Sequence, residues 1–206
     1  SNIQKYLDAN HAGGTLVLFG ADYDAAATHA VDLGKQNGFV YVHPYDHPMV
    51  WAGQAANLLA LQPQLDNLGV RWTDITELHG PVGGGGFMTG VGMAYHQLHP
   101  GGLLYGYEPY THSKFSRRAL AAPHLMIQPK GKTRADGTAT RRYGDLTFWT
   151  LLRLLNSLQA VVEEDIDDGI RLMHARYGIR SEGAGALAPA GLMNRARRGF
   201  YDDVTG

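Results

Sequence analysis

Pro81-Val82-Gly83-Gly84-Gly85-Gly86-Phe87-Met88-Thr89-Gly90 is the stretch on which the fold turns. Four glycines follow a short strand-like run and open an apolar segment with helical spacing. A backbone without Cβ atoms approaches a phosphate closely, several N–H groups can point at it, and the start of the following helix adds its positive dipole end. Gly83, Gly84, Gly85, Gly86 and Phe87 are therefore the candidate ligand-binding residues. No Gly-Lys-Ser/Thr follows, which excludes a P-loop, and the spacing is not that of the dinucleotide fingerprint. A retained turn with no ligand remains the competing reading of the same residues.

Outward from this loop, strand-like and helix-like segments alternate. Thr15–Phe19, Phe39–Val42, Thr76–Val82, Leu103–Tyr107 and Gln159–Val162 read as strands. The spacing predicts helices over 22–36, 49–61, 87–98, 113–121, 145–155, 165–177 and 183–196. Such alternation predicts an α/β fold with a mainly parallel twisted sheet flanked by helices, and ligands in such sheets sit at the carboxyl ends of strands. The glycine loop falls at one of those ends. Asp74, Glu77 and His79 are awkward in a strand buried on both faces. Either that strand is partly exposed or the sheet is remodelled around it. Gly131 to Arg142 is a basic, turn-rich loop.

The 206 residues suffice for one domain or two small ones, and an apolar content of 44% supports a real core. A net charge of −1 offers no footprint for nucleic acid. Arg195, Arg197 and Arg198 read as a solvated helix end. The chain has no cysteine, which removes disulfides, thiolate nucleophiles and thiolate metal sites from consideration. Neither a leader nor an apolar run of membrane-spanning length is visible, so the expected setting is the cytoplasm, away from membranes. His43 and His47 flank prolines in a loop, where ordinary polar contacts are expected rather than a zinc site.

Further blocks stand in register with the glycines: Val42-His43-Pro44-Tyr45-Asp46-His47-Pro48 upstream, and Leu104-Tyr105-Gly106-Tyr107-Glu108-Pro109, Ala135-Asp136-Gly137-Thr138-Ala139 and Ser181-Glu182-Gly183-Ala184-Gly185-Ala186 downstream. In this order and spacing the chain resembles the threonine/serine dehydratase and serine racemase group of fold-type-II pyridoxal-phosphate enzymes, from about residue 5 to residue 193. The resemblance implies a remnant of the family's small domain over 1–50 and the core of its large, cofactor-binding domain over 51–206. It also implies pyridoxal phosphate as cofactor, with its phosphate on Gly83 to Gly86. The family reaction releases ammonia and a 2-keto acid from a hydroxy amino acid.

The same resemblance shows what to expect of the chemistry. The family's Schiff-base lysine lies in a Phe-Lys-x-Arg-Gly-Ala context, followed by a Ser-x-Gly-Asn-His loop, and a serine in a later Ser-Gly-Gly-Asn turn meets the pyridine nitrogen. None of these stretches occurs here. The five lysines, Lys5, Lys35, Lys114, Lys130 and Lys132, lack that context and read as exposed. Covalent cofactor attachment is therefore not expected, and no catalytic residue is assigned. Glu108 matches a glutamate that, in serine racemases, holds a divalent metal with a backbone carbonyl and an aspartate. The carbonyl position falls at His112 and the aspartate position at Lys114. A cation there disfavours a metal, and Glu108 is expected instead to cap a loop from a buried position. The expected ligand is a small amino acid or anion. The chain is expected to be inactive by itself and to form a homo-oligomer. The alternatives are a non-catalytic anion-binding module and one half of a split enzyme.

Overall fold

The structure is a computed structural model and describes residues 2–21, 23–115 and 127–198. The chain divides into two compact units, Ser1–Val42 and His43–Gly206. Residues 43–50, grouped above with the first segment, lie in the second unit.

The first unit carries two helices, α1 (Asn2–His11) and α2 (Tyr23–Asn37). The expected strands Thr15–Phe19 and Phe39–Val42 are not strands. Both runs are rich in β-favouring residues, yet neither pairs with another segment among the described residues. Leu18 is 70% exposed and Val40 is 89% exposed. Strand propensity expresses packing against cross-strand neighbours, so an unpaired run does not realise it. The local contacts are those of helix ends. Phe39 N–H donates to Gly34 O at 2.9 Å, and the Phe19 ring stacks on His29 with centroids 3.9 Å apart.

The second unit is a three-layer α/β body. Its sheet is parallel, ordered β1 (Glu77–Pro81), β2 (Leu103–Pro109), β3 (Ser157–Val161). Glu77 pairs with Leu103 and Tyr105 with Ser157. Side chains alternate across β2 as a period of two requires. Leu104 points into one cluster with Leu58, Trp72, Met88, Val91, Tyr95, Tyr143, Phe148 and Leu151. Tyr105 and Tyr107 point into the other, with Val161, Ile166, Leu187 and Ala190. The first layer is built by α3 (Pro48–Leu59), α5 (Gly86–Leu98) and α6 (Asp145–Leu154), the second by α7 (Glu163–Tyr177) and α8 (Gly183–Arg198). A short α4 (Gln62–Leu68), which the sequence reading passed over, ends on Gly69 in the left-handed region. Residues 113–115 of the expected helix 113–121 are not helical, and 116–121 lie outside the described residues.

The awkward strand resolves into an edge. Among the described residues β1 has a neighbour on one side only, and Asp74 lies outside it in a 3₁₀ turn. Glu77 and His79 share the face under α8, where they form a polar stack. His79 Nδ1 meets Tyr107 Oη at 2.9 Å and Nε2 meets Glu77 at 3.0 Å, while the ring lies parallel to Tyr105. The Arg195 guanidinium covers the other part of this stack, 3.8 Å from the Tyr105 centroid. Arg195 is 7% exposed, so the expectation of a solvated helix end fails for this residue. Its planar head is weakly hydrated and stacks well on an aromatic face.

Candidate anion site

Gly83 to Phe87 leave the carboxyl end of β1 and enter α5. Among the described residues, the N–H groups of Gly83, Gly84, Gly85, Gly86 and Phe87 meet no acceptor on the protein, and α5 has no side-chain cap. The first N–H groups of a helix need partners from outside it, and together with the helix dipole they form an anion site. The phosphate of a cofactor fits this set of donors.

The loop is held from three sides. Gly85 has φ +103°, a conformation that needs glycine. Gly84 O accepts from Gly144 N at 3.2 Å and Thr147 Oγ1 at 2.8 Å. Asp46 Oδ1 accepts from Leu146 N at 3.1 Å and Thr147 N at 2.9 Å, capping α6 from a distant segment. Tyr45 lies so close that a Cβ on Gly84 would stand 2.5 Å from its ring, and one on Gly86 would stand 2.5 Å from its carbonyl oxygen. A Cβ on Gly83 would come within 3.0 Å of Thr138 Cα. The glycines are thus demanded by the packing of the protein around the loop, whether or not an anion sits there. Sequence reasoning assigned no role to Tyr45, Asp46, Thr138 and Thr147. The first three stand in blocks quoted above, whose fixed order was the available signal.

His43 organises the segment that carries Tyr45 and Asp46. Its Nδ1 accepts from Asp46 N at 2.8 Å and Tyr45 N at 3.2 Å. Burial lowers its pKa below the usual histidine value, with Arg142 and His47 acting in the same sense and Asp46 and Asp145 opposing. His79 and His112 are lowered for the same first reason. An unfolded histidine titrates near 6.5. Between that value and the folded one the unfolded chain binds more protons, so stability falls as pH drops through this window. We expect thermal unfolding to shift downward from pH 7 toward pH 5, and to do so less steeply in His43→Asn, whose Oδ1 keeps the acceptor without titrating. An unchanged slope in that variant would remove His43 from the account.

The second polar feature lies at the end of β2. Glu108 is 1% exposed and Lys114 4% exposed, which corrects the expectation that all five lysines are solvated. Lys114 Nζ stands 2.9 Å from Glu108 Oε1. Glu108 Oε2 accepts from Lys114 N at 3.0 Å, Phe115 N at 3.3 Å and Ser113 Oγ at 3.3 Å, so the carboxylate caps the following loop as expected. Tyr143 Oη donates to Oε1 at 2.5 Å, and burial first, then the Glu108 charge, pushes the phenol well above its ordinary range. Tyr143 was not singled out from sequence, where a lone tyrosine carries no signal. Leaving one member of a buried ion pair alone costs about 3–5 kcal/mol. Lys35, Lys130 and Lys132 are exposed, and Lys130 Nζ lies 4.2 Å over the Tyr110 ring. No helix among the described residues is long and apolar enough to cross a membrane.

Known proteins resemble this chain over most of its length. The chain is 31% identical over 192 residues to an L-threonine ammonia-lyase of Geobacter sulfurreducens, covering 93% of this chain and 46% of that protein. It is 35% identical over 183 residues to the biosynthetic L-threonine dehydratase of Escherichia coli, covering 87% and 34%. It thus spans less than half the length of either curated relative. The crystal structure of a threonine deaminase from T.th. superposes with a TM-score of 0.80 at 31% identity, over 92% of this chain and 61% of that one. Serine racemase from Dictyostelium discoideum superposes with a TM-score of 0.72 at 26% identity, over 94% and 59%. The family of pyridoxal-phosphate dependent enzymes matches residues 2–204, and the chain belongs to that family.

Proposed function

We propose that this chain holds pyridoxal phosphate non-covalently through the amides of Gly83 to Phe87. By descent it is related to threonine/serine ammonia-lyases, but by itself it does not catalyse their reaction. The observation that carries the reading is the run of N–H donors at the start of α5 with no acceptor among the described residues. Bound there, the cofactor would supply the electron sink for loss of an α-proton from an amino acid. The chain's own contribution is orientation. Asp46, Thr147 and Gly144 fix the loop, Tyr45 packs over it, and Glu108 with Lys114 stiffens the segment after β2. Lys114, buried at the end of β2, is engaged by Glu108 and so is not available for attachment.

We further propose a homo-oligomer, in the cytoplasm. Exposed apolar side chains such as Met49 at 75% and Leu68 at 74%, and the edge that β1 forms among the described residues, support association.

One titration tests the reading. Calorimetry with pyridoxal phosphate and with inorganic phosphate, with light scattering on the same samples, should show saturable binding of the cofactor, competition by phosphate, and a mass above the monomer at micromolar protein. Borohydride treatment should leave the chain's mass unchanged. A pyridoxylated chain would disprove non-covalent binding, and absence of both ligands would leave the glycine loop a turn. Phosphate binding as tightly as the cofactor would favour the second reading, a non-catalytic module for a small anion.

A further inference from the structure

Among the described residues, Lys114 Nζ has two oxygen neighbours, Glu108 Oε1 at 2.9 Å and the backbone carbonyl of His112 at 3.1 Å. It also lies 5.2 Å from the Tyr143 ring centroid. A carboxylate and a backbone carbonyl, converging in a buried place, are the donor types that hard cations take. The same carboxylate already accepts hydrogen bonds from Tyr143, Ser113, Lys114 N–H and Phe115 N–H, so its geometry is set independently of the ammonium.

We propose that the Lys114 ammonium is a tethered cation, occupying the oxygen cage of Glu108 and His112 where a free metal ion would otherwise sit and so making the loop after β2 independent of any ion in solution. The donors suit a cation, but the position is already filled by a group that cannot diffuse away. A metal beside the ammonium would place two positive charges on one buried carboxylate. The tether also removes the dependence on ion concentration that a bound metal would impose, because occupancy no longer follows mass action. This inference does not rest on cofactor binding or on activity.

The test is thermal unfolding of the full chain in choline, potassium, magnesium and calcium chlorides at matched ionic strength, and in ethylammonium chloride. Wild-type Tm should be insensitive to which cation is present. Lys114→Ala should fall by roughly 10 °C in choline, the scale expected when a buried pair loses one member. At least half of that loss should return, saturably, with ethylammonium or with one of the metal ions, which replace the missing charge. Glu108→Gln/Lys114→Met, which removes both charges, should show no such response. If Lys114→Ala does not fold, its refolding yield should rise with the same cations while the double variant folds without them. Two results overturn the proposal: a wild-type Tm that rises saturably with a divalent ion and loses that rise in Glu108→Gln, or a Lys114→Ala chain that no cation restores.

Discussion

With pyridoxal phosphate and threonine, the 206-residue chain is expected to release 2-oxobutyrate no faster than free pyridoxal phosphate does. The reaction needs a lysine amine that is desolvated and uncommitted, close enough to work at the α-carbon. Lys114 is desolvated but committed, its Nζ held by Glu108 and by the His112 carbonyl. Lys35, Lys130 and Lys132 are exposed, where an amine is strongly hydrated. A positioned general base contributes about 10²–10⁴-fold, and loss of orientation removes more. The expected deficit against an intact enzyme of this kind is therefore at least about four orders of magnitude. The assay is keto-acid release, run on wild type and on the single alanine variants of all five lysines. Robust turnover that disappears in one of those variants would identify an active lysine and reverse this expectation.

Substitution inside the glycine loop should lower stability sharply. A methyl group on Gly86 would meet Tyr45 O at 2.5 Å and Tyr45 Cα at 2.7 Å, both backbone atoms that cannot turn aside. On Gly84 it would meet the Tyr45 ring at 2.5 Å, a side chain that can be removed. Overpacking of this kind typically costs about 1–3 kcal/mol and sometimes more. Gly86→Ala should reach or exceed the top of that range. Gly84→Ala should recover much of its loss in a Tyr45→Ala background, whereas Gly86→Ala should not. Gly53→Ala is the control. It lies within α3 with nothing near its Cβ direction, and should gain roughly 0.5–1 kcal/mol from reduced backbone entropy. Chemical denaturation measures these variants and the Tyr45→Ala background itself. If Gly86→Ala keeps wild-type stability, the loop is looser than its contacts imply. Anion affinities of these variants are meaningful only after their stabilities are known, because the same glycines pack against Tyr45.

Much of the second unit is readable from local chemistry. The glycines end β1 and start α5, Pro48 starts α3, and Gly178 stops α7 in the left-handed region. Spacing, capping and breaker residues act within a few positions, and the chain carries them itself. The runs 15–19 and 39–42 show the limit of that logic. Their composition favours strands, but a strand exists only against a partner, and no described segment supplies one.

The sequence by itself determined the α/β class, the glycine loop, its place at a strand's carboxyl end, and the block order that marks the family. Tertiary structure alone decided which charges are buried. Lys114 and Arg195 sit in segments that look solvated, yet Lys114 folds back on Glu108 in the same loop and Arg195 stacks on Tyr105 from far along the chain. It also decided that Tyr45, Asp46 and Thr147 hold the loop. Such contacts join residues many positions apart, as Asp46 to Thr147 does at 2.9 Å, and depend on how layers close over the sheet. Local pattern carries no information about which distant side chain will fill a given space, because desolvation and packing are set by the neighbours that folding brings.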